Sequence, residues 1–163
     1  MSRRLIVCVL VLACLLSGCL DKEKYPDGLR KEFDDIIVTL PGDFADLSGE
    51  EVAKDADFMY GRKTLVVMGL SEKKADLQGI TLAQYTQKVI QGNGLSCSAT
   101  PAGDGYLFTY EKTLGETPYT YTIATYEGIN NFWILQFYGP TENLQENQPE
   151  IDIILEGIQP KKG

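Results

Sequence analysis

Apolar and polar side chains alternate along residues 117–127 (TPYTYTIATYE), and a period of two is the mark of a strand with two unlike faces. Tyr119 and Tyr121 fall on one face and Tyr126 on the other. Residues 106–112 (YLFTYEK) and 132–138 (FWILQFY) predict strands on either side of it in sequence. The second of these is almost wholly apolar, which predicts a central strand covered on both faces. Gly-rich or Asn-rich punctuation at 101–105, 114–116 and 128–131 turns the chain between these runs. Residues 95–100 predict one more strand, in which Cys97 reads as a small buried hydrophobe. Upstream, the β-branched run 36–40 (IIVTL) ends at Pro41-Gly42. Residues 56–60 and 64–70 predict a strand pair, with Gly61-Arg62 as the tight turn.

Two segments break to the helical period. Over residues 82–91, Leu82, Tyr85 and Val89 share one face, with Ile90 at its edge. Thr81 and Gln84 form a T-x-x-Q capping box, Ile80 and Tyr85 suit a hydrophobic staple, and Gly92 stops the segment. Over residues 150–157, Ile151, Ile154, Leu155 and Ile158 make the apolar stripe, with Pro149 at the first helical position and Pro160 beyond the end. Thr141 reads as the cap of a short turn. Strands, a helix, four strands and a helix predict the α+β class: an antiparallel sheet with one helix after the first strands and one C-terminal helix packed on it.

The N-terminus sets a different pattern. Met1-Ser2-Arg3-Arg4 is basic, and residues 5–16 are twelve consecutive apolar residues. Such a helix is about 18 Å long, short of a hydrocarbon core about 30 Å thick. This is the layout of a secretory signal. Leu16-Ser17-Gly18-Cys19 resembles the lipobox of bacterial lipoproteins. That resemblance implies cleavage after Gly18, with diacylglyceryl on the Cys19 sulfur and acyl chains holding the mature chain to a membrane outside the cytoplasm. Leu20 is not an Asp, which leaves the outer membrane open in a host that has two. Residues 1–18 are then a signal peptide, 19–32 a lipidated tether with Pro26 and Gly28, and 33–163 one globular domain. Without Arg3 and Arg4 the chain keeps 13 basic and 23 acidic residues, a net charge of −10. That balance repels phosphates and argues against nucleic acid as a partner.

The chain has 163 residues and no His, so the commonest general base and a favoured zinc ligand are missing. Asp43, Asp46, Glu50, Glu51, Asp55 and Asp57 are dense but lack the spacing of a calcium loop, and read as a solvated loop. No nucleophile elbow, P-loop or dinucleotide fingerprint is present in the sequence. The aromatic residues are the compositional oddity: 10 of the 16 lie between Tyr106 and Tyr138. Strand packing accounts for many of them. Tyr119 and Tyr121 are also the candidates to floor a groove for an apolar, sugar or peptide ligand. The expectation is a non-catalytic envelope protein that needs no cofactor or metal and binds a protein partner or ligand. An acid-dependent hydrolase and a structural accessory subunit of an envelope complex are the alternatives.

The corner Ile37-Val38-Thr39-Leu40-Pro41-Gly42-Asp43-Phe44 and the helix opening Thr81-Leu82-x-x-Tyr85 resemble PsbP-like, DcrB-type domains. The likeness covers residues 33–159, more by element order than by sharp motif, and the spacing of the corner departs from the usual one. It implies an α/β/α sandwich around an antiparallel sheet and supplies no catalytic residues.

Overall fold

The computed structural model describes residues 29–163. The expected signal peptide, Cys19 and the tether as far as Gly28 lie outside the described residues. Among the described residues the chain runs β1 (Leu29–Phe33), β2 (Ile36–Leu40), β3 (Ala45–Asp46), β4 (Phe58–Arg62), β5 (Leu65–Lys73), α1 (Leu82–Gly92), β6 (Thr100–Ala102), β7 (Gly105–Leu114), β8 (Thr117–Glu127), β9 (Asn131–Pro140), α2 (Leu144–Glu156) and β10 (Gln159–Pro160). Seven strands form one antiparallel sheet in the order β3-β4-β5-β9-β8-β7-β6. The apolar β9 stands in its centre, buried along its whole length. The class is α+β, as the alternation predicted.

Each face of this sheet carries its own core. On the first, Trp133, Leu135 and Phe137 of β9 meet Phe58, Tyr60, Val67 and Tyr126, and α2 contributes Ile151 and Ile154. On the second, Phe132, Ile134 and Tyr138 join Tyr119, Tyr121 and Ile123, and α1 contributes Tyr85, Val89 and Ile90. The predicted capping box is formed: Thr81 Oγ1 accepts from the Gln84 amide at 3.3 Å, and Gln84 Oε1 accepts from the Thr81 amide at 2.9 Å. Tyr85 stacks on Phe132 with centroids 4.7 Å apart. The Thr86 and Thr125 hydroxyls share a buried hydrogen bond of 2.6 Å, which pins α1 to β8.

Several expectations are corrected. The run 36–40 does not enter the main sheet. It is the middle strand of a separate three-stranded sheet, β1-β2-β10, that packs with α2 on the first face. Residues 29–32, expected as tether, belong to β1, so the folded part begins ahead of residue 33. The tight turn after β4 is residues 63–64, not 61–62, with Lys63 left-handed at φ 49°. Gly61 lies within β4, paired with Ala45 and Val66, and is glycine there because a Cβ would sit 2.6 Å from the Leu47 side chain. Residues 95–99 form no strand. Leu95, Cys97 and Ala99 do pack against the second core, so the alternation reports burial without pairing. Helix α2 starts at Leu144, placing Pro149 inside it. Exposure of Gln145 lets water take the carbonyl that Pro149 leaves without a donor. Thr141 caps nothing; its hydroxyl bonds to that of Thr120 at 3.0 Å.

The small sheet is fastened by a buried carboxylate. Asp35, in the two-residue turn between β1 and β2, is 3% exposed. Its Oδ1 accepts from Trp133 Nε1 at 2.6 Å, and its Oδ2 accepts from the Asn130 and Asn131 amides at 2.6 and 3.0 Å. The Asn131 side chain adds a bond at 3.3 Å. Burial alone would raise the pKa of this group. The bonds from Trp133, Asn130 and Asn131 outweigh it and hold the carboxyl below its ordinary value. Gly128 makes room, since a Cβ there would sit 2.4 Å from the Asp35 carboxyl carbon.

Asp35→Asn and Trp133→Phe are each expected to cost about 2–3 kcal/mol in urea unfolding, because each strands a buried polar partner. The lowered carboxyl pKa stabilises the fold above the unfolded value, about 3.9. That stability is lost as pH falls through the folded value, so Asp35→Asn should flatten the acid limb of the stability curve. Gly69→Ala is a second test: a Cβ there would lie 2.1 Å from the Phe58 ring. It should cost about 1–3 kcal/mol by overpacking.

Candidate functional site

Strand register assembles the aromatic site. The hairpin closed by Leu114 and Thr117 sets Tyr110 opposite Tyr121, and the β8–β9 register sets Tyr121 opposite Tyr138. Three phenol rings therefore lie side by side across three strands. Tyr110 and Tyr121 have centroids 4.8 Å apart and planes 2° from parallel. Tyr121 and Tyr138 follow at 5.4 Å and 24°. Tyr119 lies on the same face two residues along β8, and Tyr126 lies on the opposite face. Helix α1 covers the part of this face near Phe132 and Thr125. The stack begins four residues further along β8, about 13 Å away.

The two tyrosines singled out in the sequence are thus together, but they support the surface more than they form it. Tyr119 and Tyr121 are 7% and 6% exposed, and Tyr138 is 4% exposed. Tyr110 and Leu114, on β7, are the half-buried members at the rim. Burial, then the neighbouring Tyr119, pushes the Tyr121 phenol up to about 12. Burial raises Tyr119 and, with Tyr121 and Tyr119 beside it, Tyr138 as well. On the other face burial, then Asp104, takes Tyr126 to about 12. These hydroxyls are neutral at any ordinary pH and serve as packing groups and hydrogen-bonding tips, not as bases. Tyr110 and Tyr138 were within reach of sequence reasoning: counting back from the two turns places both opposite Tyr121.

The acids expected as a solvated loop are dispersed. Arg62 gathers Asp43 at 2.6 Å and Glu150 of α2 into one ion-paired group, which ties α2 to β4. Asp46 accepts from the Ser48 amide at 2.9 Å, Asp57 from the Ser71 amide at 2.6 Å, and Glu51 pairs with Lys54 at 2.9 Å. Glu50 and Asp55 are exposed. Among the described residues no three His, Cys, Asp or Glu side chains converge as a metal site would require. A cavity beneath α2, lined by Thr120, Thr122, Tyr138 and Asn147, has a volume of about 10 Å³. That is room for one water, far from the size of a ligand site. Cys97 is half-buried, and burial pushes its thiol up, away from nucleophilic use.

Raised phenol values stabilise the fold below the unfolded tyrosine pKa near 10. That stability is lost as pH rises from there toward the folded values. Tyr121→Phe should leave the fold intact at pH 7 and soften the loss of stability between about pH 10 and 12, read by urea unfolding at a series of pH values. Tyr121→Ala should cost about 3–5 kcal/mol, since it opens a hole in the stack.

A scan against protein-family models finds no match, and a search of curated proteins finds none. Among solved structures, a crystal structure from Bacteroides thetaiotaomicron is similar over 78% of this chain and 45% of its own length, at 14% identity and a TM-score of 0.53. The chain therefore spans less than half of that protein. The solution structure of cyanobacterial PsbP (CyanoP) from Synechocystis sp. PCC 6803 aligns over 92% of this chain and 98% of its own, at 8% identity and a TM-score of 0.47. Identities at this level speak to fold alone.

Proposed function

We propose that the protein is a lipoprotein anchored through Cys19 outside the cytoplasm, where its α+β domain binds an envelope protein or a small ligand without catalysis. The observation that carries this reading is the N-terminal order of Arg3-Arg4, the twelve apolar residues 5–16, and Leu16-Ser17-Gly18-Cys19. The described domain fits such an anchor, because its first strand opens at Leu29, ten residues after the lipid cysteine. Ten residues reach at most about 33–36 Å, enough to hold the domain just clear of the head groups.

Binding is favoured over acid-dependent hydrolysis by where the carboxylates are spent. Asp43 and Glu150 are held by Arg62, and Asp35 by Trp133 and two backbone amides. The finer kinship, a PsbP-like, DcrB-type domain, belongs to the same proposal. Its support is the Pro41-Gly42-Asp43-Phe44 corner, where Phe44 is fully buried, and the capped helix opening at Thr81.

Growth of the host on labelled palmitate tests the anchor. The full-length chain should incorporate label and fractionate with membranes, and Cys19→Ser should lose both. Label retained in Cys19→Ser would refute the assignment of the lipid site.

A further inference from the structure

The two edges of the seven-stranded sheet are finished differently. At one edge β3 pairs with Tyr60 and Gly61, and the chain continues along β4 with the Leu47 amide donating to the Met59 carbonyl at 2.8 Å. At the other edge β6 pairs with only Gly105, Tyr106 and Leu107 of the ten-residue β7. Among the described residues no strand pairs with the outer side of β7 from Phe108 to Leu114.

The register says which groups are left open. In a hairpin with the two-residue turn 115–116, Leu114 and Thr117 exchange backbone hydrogen bonds. The even-numbered residues of β7 therefore bond to β8, and the odd-numbered ones point their N–H and C=O groups outward. Consistent with this, the Thr100 hydroxyl donates to the Leu107 carbonyl at 3.4 Å. Thr109, Glu111 and Thr113 thus present three donors and three acceptors in a row, and all three residues are exposed. The tyrosine stack ends at this edge on half-buried Tyr110.

We propose that the outer edge of β7, residues 108–114, takes an extended segment of a partner protein as an added antiparallel strand. The segment places apolar or aromatic side chains beside the half-buried Tyr110 and Leu114, and a basic side chain opposite Glu111. Charge selects this occupant over a second copy of the chain. Full self-pairing of 108–114 sets Glu111 against Glu111; a shift by one residue along each strand leaves Thr109 or Thr113 without a partner, and in one direction sets Lys112 against Lys112. The chain without residues 1–18, at a net charge of −10, meets a basic side chain without that penalty. The inference deepens the binding function proposed above and rests on it, naming the kind of partner.

The probe is the synthetic peptide acetyl-Val-Thr-Glu-Lys-Tyr-Thr-Val-amide, whose Lys falls opposite Glu111 in the antiparallel register. Hydrogen–deuterium exchange of the purified full chain reads it. Millimolar peptide should slow exchange at the Thr109, Glu111 and Thr113 amides by about tenfold, as a new ladder forms there. Glu111→Lys should weaken the effect about fivefold, and a peptide with Glu in place of that Lys should restore it. Thr109→Pro removes an outward N–H without touching the bonds to β8; it should keep the far-ultraviolet spectrum and thermal unfolding of the parent and lose the protection. Unchanged exchange at these amides, protection that survives Thr109→Pro in a folded chain, or dimerisation through β7 in sedimentation would each overturn the proposal. None of these readouts depends on Cys19, so failure here leaves palmitate labelling to judge the anchor separately.

Discussion

One carboxylate decides how the two sheets sit on each other. Asp35 projects from the tip of the β1–β2 hairpin into the turn that joins the two longest buried strands, β8 and β9. A buried anion is costly unless every lone pair finds a donor, and here four do. The donors come from residues 130, 131 and 133, so the hairpin docks in one place only. Once it is docked, Phe33 stacks on Phe58 at 4.2 Å and tilts against Trp133. Lys161 next to β10 then reaches back to the hairpin, pairing with Glu32 and donating its amide to the Asp35 carbonyl at 2.8 Å. Residues 159–161 thus lie beside the hairpin with which the described part begins.

With the first face closed by the small sheet and α2, the second face is covered by α1, by Leu47 and Ala53 of the segment after β3, by Leu95, Cys97 and Ala99, and by the aromatic side chains of β7, β8 and β9. Helix α1 is eleven residues long and covers one end of that face. The tyrosines fill the other end, where flat rings in register pack without a second helix. The stack runs toward the sheet edge that β6 leaves uncovered. An aromatic surface and an open backbone edge thereby come to lie side by side, because the pairing of β6 with β7 stops at Thr100 opposite Leu107.

Local physics made much of this legible. The period of two located β8, turn punctuation on both sides bounded β7, the apolar run 132–138 identified β9 as the central strand, and the Thr81–Gln84 box fixed the start of α1. Turn arithmetic alone sets Tyr110, Tyr121 and Tyr138 abreast. What stayed hidden depends on contacts distant in sequence. Nothing in the run 36–40 tells that it leaves the main sheet, because its partners are residues 29–33 and 159–160. Nothing near Asp35 announces Trp133, 98 positions away. The segment 95–99 alternates as a strand would, yet only three-dimensional placement shows it packed without a ladder. Pro149 reads as a helix start, whereas α2 tolerates it inside because water reaches the affected turn.

The account as a whole depends on the domain standing outside the cytoplasm on a lipid. The most direct measurement is the mass of the N-terminal peptide of the protein recovered from host membranes. The account predicts a chain that begins at Cys19 and carries a diacylglyceryl group on sulfur, with the fragment 1–18 gone. A chain recovered from the cytosol with Met1 in place and Cys19 unmodified would contradict it.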